Sequence, residues 1–421
     1  MRTRLLILAS AIGSLGWGAV LPYQYAYAAD TRSWGAMVAA AASSLFSIGA
    51  LVASPAAGRL ADRFNPVAVA VIAQLVGAAS VGTLVLVGSP GLFLTGMLVF
   101  GVGVAASAPA KQVLALRWAA SGDRRKVFAW KFTGESLGMA AGAFLAGFVV
   151  DLKQVHGLDS GFLIAAAGFT LSSAILAVAG RVGSDTVVEQ PVVHGSLGTP
   201  GRRGAALRTI FAEPAMRWTA VVAIALALGF YAQFESGLPA FALTSLHATP
   251  AAIGMAAAVN CLVIVLLQVV VVRVTAKRSA PSLLMVVGGI WIVSWLILAG
   301  AQFLPGLAPA MFVMTYGVFA TGETIYSPVL NPLIASLAPA GMLGVTLGTV
   351  TALQTAFSAA GPLVGGLLLG AGLPGLYLAL HLAISVVAVF AAWRIRRALQ
   401  PAAVQVETAP EPTAEDLVPA A

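Results

Sequence analysis

A chain of 421 residues, 59% hydrophobic and 9% charged, lies far below the roughly 25% charge of an ordinary soluble domain, which excludes a water-soluble globule. Its one cysteine, Cys261, cannot form an internal disulfide. His156, His194, His247 and His381 are scattered without metal-ligand spacing, and no phosphate loop, dinucleotide fingerprint or nucleophile elbow gives an ATP-driven pump or an enzyme anything to stand on; no cofactor and no metal are expected.

Runs of about 20 apolar residues each match a hydrocarbon core of roughly 30 Å. They fall near 5–27, 34–57, 67–89, 91–116, 127–150 and 160–180, then near 217–243, 249–272, 281–304, 307–335, 343–370 and 374–393. In lipid every backbone group must be bonded internally, so these are helices or strands of a closed barrel. Continuous apolar runs lack the barrel's alternation, which leaves helices.

The first run imitates a cleavable leader, with Arg2 and Arg4, an apolar stretch from Leu5 to Val20, and then Ala26-Tyr27-Ala28. A retained span is expected, because Tyr23-Gln24-Tyr25 has a counterpart, Ala232-Gln233-Phe234, at similar depth in the seventh run. A discarded leader has no reason to repeat inside the protein.

Between the second and third runs, Gly58-Arg59-Leu60-Ala61-Asp62-Arg63 packs three charges into an expected short loop. It resembles the Gly-x-Leu-Ala-Asp-Arg-x-Gly-Arg-Lys motif that the major facilitator superfamily carries there, matching at Gly58, Leu60, Asp62 and Arg63. Asn65 stands for the second glycine, and Pro66 and Val67 replace the closing basic pair; Asn is the next best residue for a left-handed turn, so similar loop geometry is expected. The resemblance covers nearly all of residues 1–400. It implies an all-α membrane protein of twelve transmembrane helices in two six-helix halves related by a parallel pseudo-twofold repeat. It also implies that Gly58, Asp62, Arg63 and Arg117 form a conformational switch, with Asp62 paired either to Arg117 or to a helix N-terminus of the other half.

The residues carry a repeat of their own. Ala140-Ala141-Gly142 with Gly147 recurs as Ala359-Ala360-Gly361 with Gly366, and Pro109 recurs as Pro328, all at one offset of 219 residues. The expected organisation is an N-terminal half over 1–180, a cytoplasmic linker over 181–216 with a short surface helix near Gly204 to Met216, a C-terminal half over 217–400 and a disordered polar tail over 401–421. Gly134, Gly138 and Gly142 give the fifth span a smooth stripe, read either as tight packing or as a surface on which the halves rock. Gly361-Pro362 with Gly365-Gly366 resembles an element of exporters in this superfamily, although it sits in the eleventh span and Ala143 replaces the proline in the fifth.

Orientation follows from Arg and Lys. Arg2, Arg4, Arg59, Arg63, Arg117, Arg124, Arg125 and Lys126 fall on one side together with the later groups at 202–217, 273–278 and 394–397, against Arg32 and Lys153 on the other. Both termini are therefore expected in the cytoplasm, and the net charge of +8 is what the positive-inside rule deposits there, with no nucleic acid needed.

Three glutamates lie inside the runs: Glu135 in the fifth, Glu235 in the seventh and Glu323 in the tenth. A charge at bilayer depth costs a few kcal/mol, so each must face a cavity, find a partner or bind a proton. Glu135 follows Lys131 by four residues, with Lys111 on the preceding span, which suits an ion pair. Glu323 has no cation on its own helix, and Pro328 loosens that helix just below it. The family resemblance places the first, fourth, seventh and tenth helices around a cavity. That implies proton-coupling roles for Glu323, then Glu235, then Glu135, and ligand contacts for Tyr23, Gln24, Tyr25, Tyr231, Gln233 and Phe234; these aromatic clusters equally fit an interfacial belt.

By the pattern Gly322-Glu323 through Pro328, then Leu337-Ala338-Pro339 and Gly344, the chain resembles bacterial multidrug efflux members. The implied protein is a monomer in the bacterial cytoplasmic membrane that exports small, partly hydrophobic molecules by alternating access as protons enter. Antiporters of this type carry an arginine in the fourth helix, whereas Met97-Leu98-Val99-Phe100-Gly101 has none. An importer or uniporter of a metabolite such as a sugar or organic acid therefore stays open, as does a sensor or assembly factor that kept the fold.

Overall fold

The computed structural model describes residues 1–21, 23–24, 27–182, 203–248 and 250–400. The described residues form helices joined by turns and short loops, without strands. The first six spans are α1 (Arg2–Val20), α2 (Ala36–Arg63), α3 (Pro66–Thr83), α4 (Pro90–Trp118), α5 (Arg124–Val149) and α6 (Asp159–Arg181). After the short α7 (Arg203–Ile210), the seventh span is divided into α8 (Pro214–Leu226), two π-helical turns, Ala227–Tyr231 and Gln233–Gly237, and α9 (Leu238–Ser245). The last five spans are α10 (Pro250–Thr275), α11 (Ala280–Ala301), α12 (Ala308–Leu337), α13 (Leu343–Gly370) and α14 (Pro374–Ala398).

Among the described residues, eleven helices are long and apolar enough to cross a bilayer. The remaining span, α12, has 30 residues, and its Glu323, Thr321, Thr324 and Tyr326 dilute its apolar character. Prolines start many of these helices. Pro66, Pro90, Pro214, Pro281, Pro309 and Pro374 sit in the first turn, where the missing N–H would have had no partner and the fixed φ already suits a helix.

Neighbour relations repeat with a shift of six spans. In the N-terminal half α1 packs on α5 and α6, α2 on α4, and α3 on α4 and α6. In the C-terminal half the seventh span packs on α13 and α14, α10 on α12, and α11 on α12 and α14. The contacts between halves obey the same shift: α2 with α13 becomes α10 with α5, and α4 with α13 becomes α12 with α5. The start of α1 and the end of α14 lie at one end of the bundle: Arg2 Nε donates to Val182 O just beyond α6, Arg394 of α14 stacks on Trp218 at the start of α8, and the end of α2 meets the start of α13 through Asp62 and Gly344.

Three expectations change. Gly58 to Arg63 is the last turns of α2, not a loop; only Phe64 and Asn65 connect it to α3. Asn65 is extended, with φ −63°, and caps α3 by accepting from Val67 N at 2.9 Å, so Pro66 at the first helical position removes any call for a left-handed turn. The linker helix stops at Ile210, and Pro214 starts the seventh span afresh; residues 183–202 and the tail 401–421 lie outside the described residues.

The glycine stripe packs within one half. A Cβ on Gly138 or Gly142 would strike the backbone of Ala11 or Leu15 on α1, and one on Gly361 would strike Ala232 of the seventh span. The offset of 219 residues thus reproduces one packing device twice, and the stripe is not a rocking surface between halves. The glycines that do meet across the halves are Gly58 and Gly344, with Gly348 against Ser54 O.

Candidate functional site

At the end of the bundle where α1 begins and α14 ends, two polar contacts among the described residues join the halves. Asp62, in the last turn of α2, accepts from Gly344 N at 2.6 Å and Val345 N at 2.8 Å. These are orphan donors of the first turn of α13, where the helix dipole also favours a carboxylate. Of the two partners expected for Asp62, the geometry selects the helix N-terminus; Arg117 is exposed and lies only within electrostatic reach. Gly58 and Arg63 share that turn, and Gly58 is what allows it to press on Gly344.

The second contact has the opposite sign. Arg125, at the start of α5, donates through Nη1 to Thr275 O at 2.9 Å and Arg278 O at 2.7 Å. Thr275 ends α10, where the dipole favours a cation, and Arg278 lies in the turn just beyond it. The six-span shift relates the α2–α13 and α10–α5 contacts, so one is closed by an anion on an N-terminus and the other by a cation on a C-terminus.

Glu323 is 5% exposed and accepts from Asn260 Nδ2 of α10 at 3.0 Å. No cation among the described residues pairs with it. The same amide reaches Tyr316 O at 3.5 Å, and one α10 face lower Gln268 Nε2 reaches Thr324 O at 3.4 Å while its buried Oε1 has no partner. Asn260 and Gln268 were not singled out from the sequence; their spacing of eight on one apolar helix, facing a carboxylate on another span, was the available signal.

Aromatic rings surround this carboxylate. Tyr231 lies within electrostatic reach of Glu323 and 6.0 Å from Tyr326 between ring centres, whose hydroxyl accepts from Gln354 Nε2 of α13 at 2.7 Å. Behind them Phe230 stacks on Trp291 at 4.8 Å. Phe234 stands 4.9 Å from the Tyr316 ring. The structure therefore gathers Glu323, Tyr231 and Phe234 on the C-terminal half.

The other expected ligand contacts are placed differently. Gln233 is fully buried and its amide is occupied by protein: it donates to Leu228 O and Gly361 O and accepts from the Tyr377 hydroxyl at 3.0 Å. It braces the seventh span against α13 and α14. Tyr23 spends its hydroxyl on Ala143 O of α5 at 2.9 Å. Gln24 is 6% exposed, and its Oε1 is buried without a partner. Tyr25 and the side chain of Glu235 lie outside the described residues.

Glu135 pairs with Lys131 at 2.6 Å, one helical turn back, as its spacing suggested. Lys111 on α4 is buried within electrostatic reach of both, so the N-terminal half holds a cation-rich triad, whereas Glu323 has no cation partner among the described residues.

Twelve spans in two matching halves, polar at the centre and latched at one end, define a multi-pass membrane transport protein. The chain belongs to the major facilitator superfamily: the family model described as Major Facilitator Superfamily matches residues 6–244. Among solved structures it is similar to a bacterial homologue of the iron transporter ferroportin in an outward-facing state, with TM-score 0.74 and 16% identity over 94% of this chain and 99% of that one. It is also similar to the human organic anion transporter MFSD10 (TETRAN), with TM-score 0.66 and 16% identity over 93% of this chain and 98% of that one. At such identity the likeness concerns the fold alone. No curated protein sequence matches.

Proposed function

We propose that this transporter exports small, partly hydrophobic molecules by alternating access, driven by protons that enter as substrate leaves. The observation that carries the proposal is Glu323, buried on α12 with a neutral amide as its partner and aromatic rings about it. An uncompensated carboxylate at that depth costs a few kcal/mol when ionised, and protonation at one stage of a cycle removes the cost. Tyr231, Phe234 and Tyr326 supply the apolar wall of a ligand site with few polar groups. In this proposal the latched end is cytoplasmic, both termini face the bacterial cytoplasm, and the functional unit is a monomer.

A second reading, an importer or uniporter of a metabolite, is favoured by the fourth span, where Met97 and Phe100 are fully buried and no cation occupies Met97 to Gly101. Purified protein in vesicles with an imposed pH gradient separates the two. Efflux predicts proton movement on addition of a hydrophobic cation or neutral antibiotic, and its loss in Glu323→Gln with binding retained. Proton flux at the wild-type ratio in that variant removes Glu323 from the coupling role, and sugar or organic acid uptake without proton movement supports the second reading.

A further inference from the structure

The seventh span contains a backbone defect that its own helix cannot repair. In the π-turn Gln233–Gly237 hydrogen bonds run five residues back, and Leu238 N donates to Gln233 O. The next bond in that series would run from residue 239 to Phe234 O, but residue 239 is proline and has no N–H. The Tyr316 hydroxyl of α12 donates to Phe234 O at 2.9 Å instead. The Tyr316 carbonyl is in turn the second acceptor of Asn260 Nδ2, whose first acceptor is Glu323 Oε2.

We infer that Tyr316 is a positioning residue for α9, supplying from α12 the hydrogen bond that Pro239 cannot make, and that Asn260 ties this brace to Glu323. A carbonyl orphaned inside a membrane is costly, so the hydroxyl holds the span in its present bend. Release of that one bond leaves Leu238–Ser245 free to pivot about the π-turn, which is where a span of an alternating-access protein is expected to yield. Asn260 is the only link in this chain that touches the carboxylate directly among the described residues. When Glu323 takes up a proton, the attraction that orients the Asn260 amide weakens, and with it the hold on the Tyr316 backbone. Among the described residues, the ionisable groups within electrostatic reach of Glu323 include Tyr231 on the seventh span, Cys261 on α10 and Tyr326 on its own helix. On α5, Lys131 and Glu135 are paired with each other.

The link to Glu323 rests on the proton-coupling proposal, whereas the brace itself does not. Hydrogen–deuterium exchange of the full-length protein in lipid nanodiscs reads both. Tyr316→Phe keeps the ring packed against Phe234 and removes only the hydroxyl; amides of Leu238–Ser245 should exchange about tenfold faster, the scale of one lost hydrogen bond. Adding Pro239→Ala returns the backbone donor and should bring exchange back to within about twofold of wild type. Pro239→Ala alone should exchange no faster than wild type. Unchanged exchange in Tyr316→Phe, or acceleration that Pro239→Ala does not reverse, overturns the brace. Glu323→Gln should alter exchange of the same segment in the wild-type background and leave it unaltered in Tyr316→Phe; an equal effect in both, or none in either, overturns the tie through Asn260. Proton flux in vesicles is scored separately, so a protein that passes the exchange test yet moves no protons keeps the brace and loses the coupling.

Discussion

The carboxylate of Asp62 grips the backbone of Gly344 and Val345 at 2.6 and 2.8 Å at the same level where Gly58 and Gly344 meet backbone to backbone. Attraction and close approach are thus supplied by one turn of α2. Any side chain on either glycine would hold the carboxylate away from the N–H groups it satisfies.

Asp62→Asn keeps one acceptor oxygen and removes the charge that favours the helix N-terminus, an effect of about 1–2 kcal/mol. The latched conformation should lose about tenfold in population relative to the open one, with turnover falling and substrate affinity little changed because Asp62 lies outside the Glu323 cluster. Initial transport rates across a substrate series, at matched protein levels, check this. Equal maximal rates in mutant and wild type would show that the contact does not bias the cycle.

Arg125→Gln should act in the same direction through the other contact, since it releases Thr275 O and Arg278 O. The two sites share no partner, so their effects on the latched population should add in the double variant to within about 0.5 kcal/mol. Spin-label distances between the ends of α2 and α13, and of α5 and α10, measure both. A double variant no more open than either single one would mean that only one contact holds the halves.

Glycine substitutions should separate folding from switching. Gly138→Leu drives a side chain into the Ala11 backbone inside the N-terminal half and should lower the yield of folded protein. Gly348→Leu meets Ser54 O across the halves, so each half can still fold while the latched end is wedged apart. Thermal unfolding and cross-half cysteine crosslinking distinguish them; a Gly348→Leu protein that crosslinks like wild type contradicts this account.

The two glutamines should diverge. Gln233→Leu strands the Tyr377 hydroxyl and should destabilise the protein by about 1–3 kcal/mol. Gln24→Leu removes a buried oxygen that has no partner and should leave stability near or above wild type while changing relative affinities among ligands. Melting temperature and a binding panel, run on both variants, decide it. Altered ligand preference in Gln233→Leu with an unchanged melt would return Gln233 to the ligand site.

Twelve runs, two halves and the repeat of 219 residues were legible because hydropathy and small-residue spacing are local properties of the chain. The Lys131–Glu135 pair was legible for the same reason, as partners one turn apart on a single helix. Asn260 against Glu323, Tyr316 against Phe234, and Arg125 against Thr275 join residues more than 60 positions apart in two cases and 150 in the third, and no periodicity within one helix announces them. The motif at Gly58 to Arg63 was readable as a charged segment but not as helix, since the clue to its continuation was the cap formed by Asn65 and Pro66 on the following span.

The composition of α12 also bears on how the protein is made. Its 30 residues carry a carboxylate, several hydroxyls and two internal prolines, and it alone of the twelve spans falls short of the apolarity that the others reach. Such a segment partitions poorly into lipid as it leaves the ribosome. Its polar groups are answered by Asn260 and Gln268 of α10 and by Ser294 of α11, which donates to Thr315 O at 2.8 Å. Both helices precede α12 in the chain, so synthesis delivers the partners first, and entry of α12 into the bilayer becomes an assembly step on a surface already in place.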